Sequence, residues 1–160
     1  MAKIVILSVG KLKTDYFRQA CEDYAGRIRR YAEFDMAELK EELLGKNASK
    51  AEMESAKKKE GERLMAEAEK CDAFYCLDVK GRRMTWEGFA ERITQDFNGG
   101  INRLAFVIGG SNGLSEDIKH KARGLISFSD MTFPHHLFRV MLAEQIYRAF
   151  TIIGHEKYHK

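Results

Sequence analysis

Hydrophobic and polar positions along this chain switch between two periods. The apolar runs Lys3 to Val9 and Leu104 to Ile108 close on glycines, Gly10 and Gly109-Gly110. That pattern suits strands buried on both faces of a parallel sheet. Asp72 to Val79 predicts a further strand turning at Gly81, Phe34 to Leu39 alternates weakly as another, and Leu125 to Ser129 predicts a short last one. Helical spacing fills the intervals. Thr14-Asp15 predicts a cap for a helix to about Arg30, with Phe17, Ala20, Cys21, Tyr24 and Ile28 on one face. A Lys-, Glu- and Ala-rich stretch predicts a long solvated helix from near Ser49, after a break at Gly45-Lys46-Asn47. Thr85-Trp86-Glu87 opens a helix ending before Asn98-Gly99-Gly100, Ser115 caps one to about Arg123, and Pro134 begins the last, to about Ile153. Alternating strands and helices predict an α/β sheet. No repeat or linker divides the chain, so residues 1–160 are expected to form a single domain.

The last helix carries apolar residues almost all round: Leu137, Val140, Met141, Leu142, Ala143, Ile146, Tyr147, Ala149, Phe150, Ile152 and Ile153. Glu144, Arg148 and Thr151 leave one narrow polar stripe. A helix on the rim of a single sheet needs one buried face. A second packing partner is therefore expected, and another copy of the chain in a symmetric dimer is favoured over coverage by the chain itself.

Two segments carry candidate chemistry. In L-A-F-V-I-G-G-S-N-G (104–113) a strand runs into a glycine turn and then a new helix, the place where open α/β folds hold ligands. Gly109, Gly110 and Gly113 allow close approach of main chain to a ligand, although a tight connection that binds nothing shares the pattern. The run Phe128 to His136 surrounds the single proline, Pro134, which suits the first turn of a helix. Small hydroxyl residues between Phe128, Met131 and Phe133 would make an apolar slot for an uncharged heteroaromatic ring such as adenine. Taken alone, a polar loop pinned by two buried phenylalanines accounts for them as well.

Composition narrows the class without naming it. A 44% hydrophobic and 32% charged chain is an ordinary soluble globular protein, and a net charge of +3 permits an anionic partner without demanding one. The three cysteines, Cys21, Cys71 and Cys76, lack C-x-x-C spacing, which argues against a disulfide framework or a zinc ribbon. No run reaches membrane-spanning or secretory length, so a cytoplasmic location is expected. His155-Glu156-Lys157-Tyr158-His159 matches H-E-x-x-H. Gly154 breaks the helix before it and only Lys160 follows, leaving no third ligand, so no metal is expected. The glycines fit neither G-x-G-x-x-G nor a P-loop. Lys57-Lys58-Lys59, Arg27 to Arg30 and Arg82-Arg83 read as solvated faces. The tail Lys157 to Lys160 is cationic with two rings able to stack on bases, unless it is only a frayed end.

Three segments taken together, F-V-I-G-G-S-N-G (106–113), S-F-S-D-M-T-F-P-H (127–135) and E-Q-I-Y-R-A-F (144–150) through Y-H-K (158–160), resemble the ribosomal RNA large subunit methyltransferase H (RlmH) family of the SPOUT superfamily. The start K-I-V-I-L-S-V-G-K-L-K (3–13) resembles it too, so the likeness spans essentially the whole chain. The resemblance implies a SPOUT-type, Rossmann-like, mainly parallel sheet with a C-terminal deep trefoil knot, which periodicity could not show and the rule against threaded chains disfavours. It implies a homodimeric, S-adenosylmethionine-dependent enzyme methylating N3 of a pseudouridine in 23S ribosomal RNA. The small size suggests a substrate within the assembled ribosome. Leu77, Gly109, Phe128, Ser129, Asp130, Met131, Thr132 and Phe133 would line the cofactor site, residue 130 through its main chain rather than its carboxylate.

Arg148, Tyr158 and His159 are expected on the substrate side, completing a site across the dimer. Such chemistry needs N3, methyl carbon and sulfur in line and a base for the N3 proton. His135, His159 and Glu144 are the candidates. Two rival functions are a non-catalytic RNA-binding or ribosome-associated module, which would not bind the cofactor, and a terminal metalloprotease, which would bind zinc.

Overall fold

The computed structural model describes residues 2–158. Strands and helices alternate without exception: β1 (Lys3–Val9), α1 (Asp15–Ile28), β2 (Glu33–Leu39), α2 (Lys50–Ala68), β3 (Ala73–Arg83), α3 (Trp86–Asn98), β4 (Arg103–Ile108), α4 (Glu116–Lys121), β5 (Gly124–Ser127) and α5 (His135–Ile153). The strands make one five-stranded sheet in the order β2-β1-β4-β3-β5, every neighbouring pair parallel. The continuous apolar runs of β1 and β4 become the two adjacent inner strands, buried along nearly their whole length. Weakly alternating β2 lies at an edge, with Phe34 inward and Glu33 and Asp35 outward.

Each face of the sheet has its own core. Ile4, Ile6, Leu104, Phe106 and Ile108 pack with Ile28 of α1, Ile93 of α3 and Leu142 and Ile146 of α5. Val5, Leu7, Ala105 and Val107 pack with Leu64 of α2 and Ile118 of α4. Each large apolar side chain so enclosed contributes about 1.5–3 kcal/mol. Helices α1 and α3 carry the chain one way across the sheet over one face, and α2 and α4 carry it back over the other. All four crossovers therefore share one hand, as parallel connections do.

Helix boundaries follow local chemistry. Ser49 and Glu52 form a reciprocal capping box at the start of α2. That helix is less solvated than its composition suggests, since Ala56, Glu60, Gly61, Leu64 and Ala68 are buried. Ser115 stands at the N-cap of α4 without a side-chain cap bond. Its hydroxyl lies instead against Gly61, where an added Cβ would come within 2.3 Å of Oγ. Helix α4 also stops at Lys121, short of the expected Arg123.

Two expectations need correction near the C-terminus. Strand β5 ends at Ser127, not Ser129, because the Ser127 hydroxyl donates to the Ser129 carbonyl at 2.9 Å and Ser129 Oγ accepts from Met131 N at 3.0 Å, turning the chain. The polar stripe of α5 is not the one expected. Thr151 is fully buried, its hydroxyl on the Arg148 carbonyl at 2.7 Å. Arg139, 1% exposed, donates to Glu38 Oε2 at 2.8 Å and to the Val9 and Gly10 carbonyls at 2.7 and 2.9 Å. A buried guanidinium thus pins the start of α5 to the ends of β1 and β2.

Strand β3 is longer than its apolar run. Ile126 of β5 pairs with Leu77 and also with Arg82. A strand residue has two hydrogen-bonding edges, so β3 must pass from one edge of β5 to the other through residues 78–81. Gly81 makes that passage at close quarters: a Cβ there would stand 2.6 Å from Ile126 N and from the Leu125 carbonyl carbon.

Candidate functional site

The C-terminal ends of β4 and β5 and the middle of β3, Leu77 to Val79, open into a cavity of about 340 Å³, within the usual range for a small-molecule site. Its floor is the glycine turn after β4. Gly110 and Gly113 bridge each other and Gly113 takes φ +80°, which folds the turn back over Gly109. A Cβ at Gly109 would meet Gly113 C at 2.9 Å and Leu114 Cγ at 3.0 Å. The turn itself thus requires glycine at 109, and any larger residue must push the cavity wall out of place.

The cavity has two unlike ends. From the α5 side come Phe128, Phe133 and Phe138, with ring centroids 4.8 Å apart for Phe128–Phe138 and 6.3 Å for Phe133–Phe138. The α2 and α4 side supplies Lys57 and Lys119, and there Asp78 from the middle of β3 joins them. Lys119 Nζ lies 2.8 Å from Asp78 Oδ2, the two side chains only 20% and 13% exposed. Burial opposes ionisation of Asp78, yet the Lys119 ammonium and the Lys80 N–H outweigh it and hold the carboxyl below its ordinary range. His135, at the head of α5, also lines the cavity, with a buried Nδ1 that has no partner. Burial, then the nearby His136 and Arg139, lowers its pKa. The neutral imidazole, able to accept a proton, is therefore favoured.

The sequence family described as "Predicted SPOUT methyltransferase" matches residues 2–159. The chain belongs to the SPOUT methyltransferase family. Two solved structures agree at the level of the fold. A probable methylase family protein from Haemophilus influenzae Rd KW20 superposes with a TM-score of 0.54 at 11% identity, covering 99% of this chain and 70% of that one. TrmJ from Z. mobilis ZM4 gives 0.51 at 14% identity, covering 94% and 70%. AviRb from Streptomyces viridochromogenes, solved in complex with AdoMet, gives 0.47 at 8% identity, covering 95% and 61%.

In this SPOUT chain the expected cofactor residues Leu77, Gly109, Phe128, Ser129, Met131, Thr132 and Phe133 all line the one cavity. Asp130 does not: its carboxylate turns outward to Arg83 at 2.7 Å and is 79% exposed. The substrate-side residues form a separate group. Arg148 is paired with Glu144, and its guanidinium carbon lies 5.1 Å from the Tyr158 ring centroid. Tyr158 also packs on Tyr147 at 4.6 Å. Burial and a hydrogen bond with Tyr24 push the Tyr158 hydroxyl up to about 12. Arg148 is ten residues beyond Phe138 on α5, about 15 Å at the ordinary helical rise, so one chain does not bring this group to the cavity. His159 lies outside the described residues.

The H-E-x-x-H tail is not helical where it is described. His155 takes φ +59°, and the Glu156 carboxylate is held by the Tyr31 hydroxyl. Lys57, Asp78, Lys119 and Phe138 were not anticipated at the site. Asp78 follows Leu77 where the apolar run of β3 ends, a position that could have flagged it. Nothing in the sequence joins it to Lys119.

Proposed function

We propose that this SPOUT methyltransferase is an S-adenosylmethionine-dependent enzyme that methylates N3 of a pseudouridine in 23S ribosomal RNA, in the assembled ribosome, as a homodimer of knotted chains. The observation that carries the cofactor assignment is the cavity at the ends of β4 and β5 beside the middle of β3. It offers an aromatic end for an adenine ring, a close glycine floor and a charged end, inside about 340 Å³. The crossing of β3 around β5 at Gly81 supports a threaded chain. Family membership and the resemblance of residues 106–113, 127–135 and 144–160 to the ribosomal RNA methyltransferase H proteins support the RNA substrate.

When bound, S-adenosylmethionine supplies a methyl group already activated on sulfonium. Most of the protein's work is then alignment. Phe128, Phe133 and Leu77 would fix the nucleoside, and the Gly109–Gly113 turn would exclude water beside it. The N3 imide proton needs an acceptor, because the protonated nitrogen is a poor nucleophile. His135 favours its neutral form at the cavity, whereas Glu144 is engaged by Arg148 further along α5. Arg148 and Tyr158 of a second chain would hold the RNA over the cavity, the cation on phosphate or carbonyl oxygen and the ring on a base.

Calorimetric titration with S-adenosylmethionine should show one site per chain, and Gly109→Val should abolish it. Transfer of labelled methyl should be greater to assembled ribosomes than to naked ribosomal RNA, with the label located at a pseudouridine by mass spectrometry. No heat and no shift in melting temperature at saturating donor would overturn the cofactor assignment. Label on any other nucleotide would overturn the substrate.

A further inference from the structure

The cavity's charged end is not explained by an adenine ring. Lys57, Asp78 and Lys119 arrive from α2, β3 and α4, three elements that share no local sequence, and all face the same space. The Asp78–Lys119 pair is mostly buried yet not saturated. Asp78 accepts from Lys119 Nζ at 2.8 Å and from Lys80 N at 3.1 Å, while a carboxylate offers about four acceptor positions. Lys119 has three N–H donors; beyond Asp78, its other anionic neighbour is the outward Glu116 at 3.5 Å. Lys57 meets Glu54 at 3.4 Å, and that carboxylate is 64% exposed.

Opposite charges with spare valences, side by side at one end of a cavity, match a zwitterion. We infer that Asp78, Lys119 and Lys57 form the subsite for the α-amino-acid end of the methyl donor, with Asp78 accepting from its ammonium and the two lysines donating to its carboxylate. This rests on the cavity being the donor site, as proposed above. A phosphate fits less well, because it would meet the Asp78 carboxylate as well as the lysines, whereas an amino acid satisfies both signs at once.

Calorimetry on the full chain with three probes tests it: S-adenosylmethionine, S-adenosylhomocysteine, and 5′-methylthioadenosine, which keeps the nucleoside and lacks the amino-acid end. On the wild type, 5′-methylthioadenosine should bind about tenfold or more weakly than S-adenosylhomocysteine. Lys119→Met should weaken both amino-acid-bearing probes by about tenfold while leaving 5′-methylthioadenosine within about twofold, and Lys119→Arg should restore most of the loss. Should Lys119→Met fail to fold, Lys57→Met and the wild-type comparison decide.

Equal wild-type affinity for 5′-methylthioadenosine and S-adenosylhomocysteine would overturn the subsite while sparing the cavity assignment. So would a parallel loss of all three probes in the variants. If none of the three binds the wild type, the cavity assignment falls and this subsite falls with it.

Discussion

Glu60 is the residue at which stability and the site meet. It is 2% exposed on α2, and its Oε2 accepts from Glu42 N at 2.8 Å and from the Asn112 amide at 3.4 Å, while Oε1 has no partner. A Cβ on Gly110 would lie 3.9 Å from that orphaned oxygen, so the carboxyl sits under the turn that floors the cavity. Burial first, then Glu41 and Glu42, raises its pKa against the opposing hydrogen bonds. A carboxyl raised in the folded chain binds its proton more tightly folded than unfolded. Its stabilising contribution is therefore complete below the ordinary glutamate range and is lost as pH rises through the raised value. Glu60→Gln cannot ionise, so its stability should fall less between about pH 4 and about pH 8 than that of the wild type. At neutral pH it should equal the wild type or exceed it by about 1 kcal/mol. Urea unfolding across that interval checks both, and a wild-type-to-variant difference constant with pH would refute the assignment.

At the scale of elements, the passage of β3 around β5 is the least ordinary feature of the fold, and Gly81 is its weakest point. Gly81→Ala places a methyl 2.6 Å from main-chain atoms of Leu125 and Ile126, which cannot rotate away as a side-chain end could. The variant should lose about 3 kcal/mol, read as a fall in the urea midpoint, and an unchanged midpoint would show that the two strands do not lie so close. Sequence periodicity could not reveal this crossing. The run Asp72 to Val79 reads as a strand because Ala73 to Leu77 are continuously apolar, but Lys80 to Arg83 are not, and their place in the sheet comes from pairing across β5. What periodicity did show was set locally. The buried runs of β1 and β4, the start of α2 near Ser49 and the glycine end of β4 each depend on residues within a few positions. The aromatic side of the cavity was legible for the same reason, since Phe128 to Phe133 are one short segment. Its charged side was not, because Lys57, Asp78 and Lys119 meet only after the chain has crossed the sheet. Arg139 was hidden likewise: a lone arginine in an apolar helix finds its partners, Glu38 and the Val9 and Gly10 carbonyls, in distant strands.

For the whole molecule, the decisive fact is a separation. The cavity lies at the head of α5, and Arg148 with Tyr158 lies about 15 Å along it, ten residues at the helical rise. Between them runs a partly buried stripe of α5, Leu137, Met141, Glu144, Gln145 and Arg148, one turn apart along one side, while α1 and α3 cover the other sides. A second copy seated on that stripe would cover apolar surface and could bring one chain's Arg148 to the other's cavity. Complementation separates this arrangement from two independent subunits. Arg148→Ala keeps its cavity and Gly109→Val keeps its Arg148, and each alone should be inactive. Co-expressed in equal amounts and assorting at random, they form mixed dimers in about half the population, each with one complete site. Transfer should then recover to about a quarter of the wild-type level per chain, with size-exclusion chromatography confirming the dimer. If both groups must come from the same chain, every chain in the mixture is defective, and no activity returns.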